Sequence, residues 1–264
     1  MKLYIILLLL ISEIVAGEYY SKIEPVDSFY IKSSVSGQIV DVKEEYEGKN
    51  SDSTIIIHID DKIDIMDLKS SRKKLLLLKS NIELSKESVA YTKKSMKIDQ
   101  SNYNRIKDLS TYSKVQKDAK LLSLINSKNN YLKSKNSLQN LQTQKLDLEL
   151  KIEILKDKIE KKNIKINNGL YIYKIYPHIG DFVNMGSPLV DVQDLSFGKL
   201  SVFVSSEDLE NIENKKIYLN DKLSEYKIDK VWKVADMQNI SSYRVEIIID
   251  KPKRFSKLIK VEFK

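Results

Sequence analysis

Two histidines, His58 and His178, and no cysteine make up the chain's stock of imidazole and thiol ligands. The missing cysteines exclude a disulfide framework, thiolate catalysis, Cys-ligated zinc and a lipid anchor on an N-terminal Cys. His58 alternates with Thr54 and Ile56, opposite a face of Ile55, Ile57 and Ile59, which places it on the outside of a strand. His178 precedes Gly180 in a turn, with no second histidine or clustered carboxylate beside it. The acidic pairs Glu44-Glu45 and Asp60-Asp61 read as solvated loop or strand ends, and the methionines at 1, 66, 96, 185 and 237 do not cluster. No P-loop, dinucleotide-binding glycine motif or Gly-x-Ser-x-Gly occurs. The expectation is therefore a non-enzymatic chain with no catalytic residue, no cofactor and no metal site.

The elements that would position any site follow from the turn residues. Of 264 residues only 7 are Gly and 4 Pro, and none of these lies between 49 and 168. A 120-residue run without a breaker predicts helix through the middle of the chain, with the turns at its ends. Within it an apolar residue recurs every seventh position: Leu68, Leu75, Ile82, Val89, Met96, Tyr103. A second arm carries Leu124, Tyr131, Leu138, then Lys145 as an exception, then Ile152 and Ile159, with Leu141, Leu148 and Leu155 as a companion stripe. Seven-residue periodicity is the signature of helices packed along a seam. A further series on the first arm, Leu77, Leu84, Tyr91 and Ile98, points nearly the opposite way, so one face can meet the second arm and the other a different chain. Leu109 to Ser113 is the expected reversal, with Ser113 able to cap the second helix. One continuous helix in a parallel dimer is the alternative.

Net charge is +8, but its placement matters more than its size. Met66 to Lys165 holds 24 basic and 11 acidic residues, whereas the remainder holds 21 and 26. The surplus belongs to the helical arms and lacks the interleaved aromatics of a single-strand binder, so no nucleic-acid partner is expected. Lys2 followed by the uncharged run Leu3 to Ile11 and the small pair Ala16-Gly17 reads as a secretory signal peptide over 1–17, with Val15 and Gly17 at the cleavage positions. An uncleaved anchor is the alternative. Both place the bulk of the chain outside the cytoplasm.

The flanks of the helical run share one ruler. Gly37 and Gly48 are 11 apart, as are Gly169 and Gly180, and Ile57 and Leu189 each fall 20 after the first glycine of their pair. Each flank reads as short strands joined by glycine turns. Two such halves pair into one sandwich only if the intervening segment leaves and returns, as a helical hairpin does.

These residues resemble the periplasmic adaptor, or membrane fusion protein (HlyD-like), family. The second half, GLYIYKIYPHIGDFVNMGSPLVDVQDLS, matches with Gly180-Asp181, Val183, Gly186 and Leu189 at the family's spacing, while the first half has Ser51 and Thr54 where the second has Val183 and Gly186. LSVFVSSEDLENIEN is similar to the first strand and short helix of the adaptor barrel, with Asn214-Lys215 where a glycine is usual. The resemblance implies an elongated α+β chain: a lipoyl-like β-sandwich split by a long α-helical coiled-coil hairpin and followed by a small β-barrel. The divisions expected are an N-terminal segment at 18–30, lipoyl-like halves at 31–62 and 167–196, the hairpin at 63–166 and the barrel at 197–264. A lipoyl or biotinyl carrier would present a modified lysine on the turn between the halves. Here some 100 residues of helix occupy that place.

At the hairpin tip Arg105, Leu109, Ser113 and Asp118-Ala119 resemble the adaptor motif that docks an outer-membrane channel, although the Leu to Ser interval is four residues, three fewer than usual. The alternative is structural, with Leu109 closing the seam, Ser113 capping a helix and Arg105 solvated. The family implies a periplasmic subunit of a tripartite efflux system, either free or tethered to the inner membrane. It joins an inner-membrane transporter to a TolC-like outer-membrane channel and self-associates as a hexameric ring. An exported coiled-coil scaffold without a pump is the other function the sequence allows.

Overall fold

The computed structural model describes residues 17–236, 239 and 241–264. The signal-peptide reading therefore lies, apart from Gly17, outside the described residues, as does Met237. Among the described residues no helix is long and apolar enough to cross a membrane.

The two glycine-ruled flanks fold together. One antiparallel sheet runs β4-β3-β2-β6, from β2 (Gly37–Val42), β3 (Ile55–Ile59), β4 (Asn163–Lys165) and β6 (Phe182–Val183). Its core partner is built from β5 (Tyr171–Ile175), β7 (Pro188–Ser205) and β1 (Glu18–Lys32), with β5 and β1 both antiparallel to β7. Ile39, Ile57 and Ile59 from the first flank and Ile172, Leu189 and Val192 from the second share one buried cluster. The shared ruler appears as reciprocal hydrogen bonds. Gly48 N–H donates to the Ile172 carbonyl (2.8 Å) and Ile172 N–H to that of Lys49 (2.9 Å), while Gly180 N–H donates to Ile39 (2.9 Å) and Ile39 N–H to Asp181 (2.8 Å). Each half thus closes its glycine turn on the other half's first strand. Gly48 and Gly180 both sit at positive φ, +79° and +98°, where a Cβ is strained. Where the first half lacks a counterpart of Gly186 (φ +87°), Ser53 takes the left-handed conformation instead.

The strict alternation expected for β3 does not hold. Ile56 is as fully buried as Ile57 and Ile59, because the register against β4 shifts between Ile55 and Ile57. His58 remains partly exposed, with Nδ1 2.8 Å from Asn163 Oδ1 and Nε2 3.4 Å from Asp61 Oδ1.

α1 (Lys62–Ile106) and α2 (Lys114–Lys161) leave the sandwich and return. At 1.5 Å per residue they reach about 68 and 72 Å. The heptad stripes face the seam as expected: Ile82, Ile152 and Leu155 are buried, and Leu77, Leu84, Tyr91 and Ile98 are between 53 and 73% exposed. At the base Asp64 on α1 meets Lys162, just past α2, at 2.5 Å with both residues buried, and Lys158 joins at 2.8 Å.

β1 and β7 run past the sandwich into the barrel, so two continuous strands connect both cores. The larger sheet has the order β10-β11-β7-β1-β12-β8-β9, adding β8 (Ile217–Leu219), β9 (Lys222–Leu223), β10 (Ile228–Val231), β11 (Ser242–Asp250) and β12 (Leu258–Phe263). Ile23, Leu200, Val202, Val245, Ile247 and Val261 form its core, against which Tyr226 packs, and Trp232 lies beneath the Arg244 guanidinium at 4.8 Å. Residues 18–30 belong to β1 and supply this core with Ile23. The short helix α3 (Ser206–Leu209) is capped by Ser205, and the left-handed residue that turns the chain after it is Asn211 (φ 55°), upstream of Asn214-Lys215.

Candidate docking surface at the hairpin tip

The reversal is set by local hydrogen bonding. Lys107 N–H donates to the Tyr103 carbonyl (3.0 Å) and Leu109 N–H to that of Ile106 (3.1 Å), which ends α1. Ser113 is extended (φ −68°, ψ 158°) and begins α2 through a capping box. Its Oγ accepts from Gln116 N–H (3.3 Å), and Gln116 Oε1 accepts from Ser113 N–H (2.9 Å). Two orphan donors are satisfied reciprocally, which fixes the turn without glycine.

Ile106, and not Leu109, closes the seam: Ile106 is buried, whereas Leu109 is 46% exposed. An open groove of about 420 Å³ lies beside it, lined by Asn102, Arg105, Ile106, Tyr112, Gln116 and Ala119, with Lys120 at its edge. Of the four residues read from the sequence, Arg105 lines this groove. Leu109, Ser113 and Asp118 do not line it; Leu109 and Asp118 lie exposed around the same turn, and Ser113 is engaged as the cap. Residues 105 to 120 carry five cations and two carboxylates, and two of those cations, Arg105 and Lys120, line the groove together with Ile106, Tyr112 and Ala119. Among the described residues no cluster of three metal-ligating side chains occurs, and nothing at the tip pairs a nucleophile with a base. The surface is suited to binding another protein by shape, apolar contact and charge.

Comparison with known proteins places this geometry. No protein-family model matches the chain, and no curated protein is similar to it in sequence. Solved structures do match. MacA from Actinobacillus actinomycetemcomitans superposes with a TM-score of 0.66 at 17% identity, over 95% of this chain and 79% of that one. The membrane fusion protein Spr0693 from Streptococcus pneumoniae R6 gives 0.54 at 10% identity, over 94% and 99%. ZneB from Cupriavidus metallidurans gives 0.50 at 14%, over 94% and 97%. The chain has the membrane fusion protein fold.

Within a membrane fusion protein fold the base of the hairpin matters as much as the tip, because it sets where the tip points. Burial pushes the Asp64 carboxyl upward, but hydrogen bonds and charge from Lys158 and Lys162 outweigh it and hold the carboxyl below the ordinary carboxylate range. Lys162 also donates to the Asp60 carbonyl (2.6 Å), and Asn163 Nδ2 to that of Ile159 (2.8 Å). Lys162 thus joins the end of α2 to the strand-to-helix junction at the start of α1. Sequence reading missed this clamp and the groove residues Tyr112 and Gln116. Gln116 was detectable, since Ser followed three residues later by Gln is a capping-box pattern.

Proposed function

We propose that this chain is a non-enzymatic adaptor subunit of an export system. Its sandwich and barrel sit toward an inner-membrane transporter, and its hairpin reaches an outer-membrane channel of the TolC type. The observation that carries the reading is the split sandwich rejoined by a long hairpin, superposing on MacA over nearly the whole chain. In this reading the halves at 31–62 and 167–196, the hairpin at 63–166 and the barrel at 197–264 act as its domains. The signal at 1–17 delivers the protein to the periplasm, either free or tethered by that segment.

The mechanism is assembly. The exposed stripe Leu77, Leu84, Tyr91 and Ile98 on α1 and the exposed Ile125, Leu132 and Leu146 on α2 give each hairpin an apolar edge on both arms. Side-by-side copies would pack these edges into a closed ring of six. At the tip Arg105, Leu109, Ser113 and Asp118 would fix the channel. Ser113 accepts a hydrogen bond in its capping role, which leaves its hydroxyl proton for a partner. Substrate and energy source belong to the transporter.

Cysteines placed at Leu109 and Ser113 are expected to cross-link to an outer-membrane channel in cells. A correctly exported, folded variant that captures no channel would refute tip docking. The shortened Leu109 to Ser113 interval favours a second reading, an exported scaffold whose hairpin engages other coiled coils, and in that case the same cysteines capture no channel.

A further inference from the structure

The hairpin is a two-helix slab with two broad faces, and the faces differ in chemistry. The seam residues fix the register, and the flanking positions then follow at seven-residue steps on each helix. On one face Lys79 and Lys86 of α1 and Gln142 of α2 line a groove of about 440 Å³ beside the seam residues Ile82 and Lys145. Stepping toward the tip, the same positions are Lys93 on α1 and Lys135 and Lys128 on α2. On the other face Lys74, Asn81, Gln144 and Lys151 line a groove of about 470 Å³. The same steps there lead to Ser88, Ser95 and Asn102 on α1 and to Ser137, Asn130 and Ser123 on α2. One face therefore carries two rows of lysine interrupted by Glu83, whereas on the other these positions tipward of Lys74 and Lys151 are uncharged, with Asp147 and Lys133 beside them.

Four of these five lysines have no carboxylate partner among the described residues. Lys86 has an exposed partner in Glu83 at 2.9 Å, but among the described residues Lys79, Lys93, Lys128 and Lys135 have no carboxylate within 4.0 Å. No acidic residue occurs between 119 and 146. Successive lysines on one helix are about 10.5 Å apart along its axis, and the row spans two such steps on α1 and one on α2. Exposed ammonium groups at that spacing hold a single small anion poorly but engage a linear chain of anions along their length. Lysine, a strongly hydrated point charge without the bidentate fork of arginine, suits contacts that do not depend on the stereochemistry of each anion.

We propose that this lysine face binds an anionic glycan of the cell envelope, a polysaccharide carrying carboxylate or phosphodiester groups, laid along the hairpin. The choice of a glycan over a nucleic acid rests on the exported location in the reading above. The binding itself is measurable on the isolated protein without transporter or channel, so its failure and the failure of the adaptor reading are distinguishable.

The test compares two fourfold Lys→Gln variants of the purified protein with equal charge change. One removes Lys79, Lys93, Lys128 and Lys135, and the other Lys74, Lys133, Lys151 and Lys161, all exposed. Helix content by circular dichroism confirms that both fold. Titrating fluorescent polygalacturonate at 0.15 M salt, the first variant is expected to lose at least about tenfold in affinity. Its slope of log affinity against log salt should flatten by about 2 to 3, as lost counterion release requires. The second should stay within about threefold of the parent. Equal losses in both variants would overturn the proposal, reducing it to net charge. So would full competition by monomeric galacturonate at equal carboxylate concentration, tighter binding to duplex DNA than to the polyuronate, or unchanged glycan binding accompanied by altered self-association in the first variant.

Discussion

Near the sandwich the hairpin seam carries Leu141, Leu148 and Leu155 at successive companion positions of α2 and ends on the buried Asp64–Lys162 pair. Toward the tip the same positions hold Ser134 and Ser127, while the companion positions of α1 are mostly polar in both halves, with Ser71 and Ser85 near the sandwich and Thr92 and Asp99 beyond. Ion pairing follows the same division. Lys156–Glu153 (2.6 Å), Lys161–Asp157 (2.6 Å) and Lys145–Glu149 (3.4 Å) brace the base of α2, whereas between residues 88 and 135 the described residues show one contact, Lys107–Asp108 at 3.9 Å. The base is built as an anchor, and the distal half is held by the stripe Val89, Met96, Tyr103 against Leu124, Tyr131, Leu138, closed at the tip by the buried Ile106. A rod with a stiff root and a lightly packed end can keep its direction while the tip adapts to a partner, because local opening is least costly where buried apolar contact is sparse.

The clamp at the root gives the largest expected effect. Asp64→Ala leaves the Lys162 ammonium buried without its counter-charge, and a loss of about 3 to 5 kcal/mol in unfolding free energy is expected from urea titration. A loss under about 1 kcal/mol would show the root is no better anchored than the tip. The pH dependence has a definite sign. Because Lys158 and Lys162 hold the folded carboxyl below its unfolded value, Asp64 contributes its full stabilisation above the unfolded value, near 3.9. That contribution disappears as pH falls through the lower folded value. Unfolding measured between about pH 6 and pH 2 should show this acid loss in the parent and a shallower one in Asp64→Asn.

Packing sharpens the comparison next. Leu155 is buried in the proximal seam, and Leu155→Ala is expected to cost about 2 to 4 kcal/mol. Ser127→Ala, at a companion position of the distal seam, removes a hydroxyl that bonds only back to the Leu124 carbonyl (3.1 Å) and should change stability by under about 1 kcal/mol. Amide exchange should rank the halves the same way, with distal seam amides exchanging faster than those around Ile152.

Much of this contrast is written in the sequence, but in unequal scripts. The seven-residue stripes were legible because periodicity demands apolar residues at fixed intervals, and the 11-residue glycine ruler because positive φ at Gly48, Gly169 and Gly180 and the close approach of Ile59 to Gly37 demand glycine. The hairpin and the split sandwich follow from them. The clamp was not legible: Asp64 and Lys162 are 98 residues apart, and a charged pair at apolar-stripe positions reads as an interruption until the two ends are brought together. Nor was the extra burial of Ile56, since a register shift in β3 leaves the alternation of Ile55 to Ile59 unchanged on paper. At the tip Ser113 was readable as a cap from its type and place. Arg105 was singled out by resemblance, but its neighbours Tyr112 and Gln116 were not, because the groove is made by the path of the reversal.

The distal end offers a smaller effect. Ser113→Ala removes one half of the capping box and should destabilise α2 by about 1 kcal/mol, seen as fraying of the first turn in exchange measurements while the sandwich amides are unchanged. Transmission of the loss to the sandwich would mean that the two ends of the hairpin fold as one tightly coupled unit, against the division drawn above.

The smallest effect tests whether the ion pairs at the base contribute to the anchor at all. Lys161 and Asp157 meet at 2.6 Å one helical turn apart, but both side chains are about half exposed, so solvent screens the attraction and each side chain loses freedom in holding it. A double-mutant cycle with Lys161→Ala and Asp157→Ala should return a coupling of about 0.3 to 0.5 kcal/mol that fades in 1 M salt. The buried Asp64–Lys162 pair, carried through the same cycle, should couple several times more strongly and lose little in salt. If the two cycles gave equal couplings, burial would not be what separates the root of the hairpin from its tip, and the difference would have to be assigned to the leucines alone.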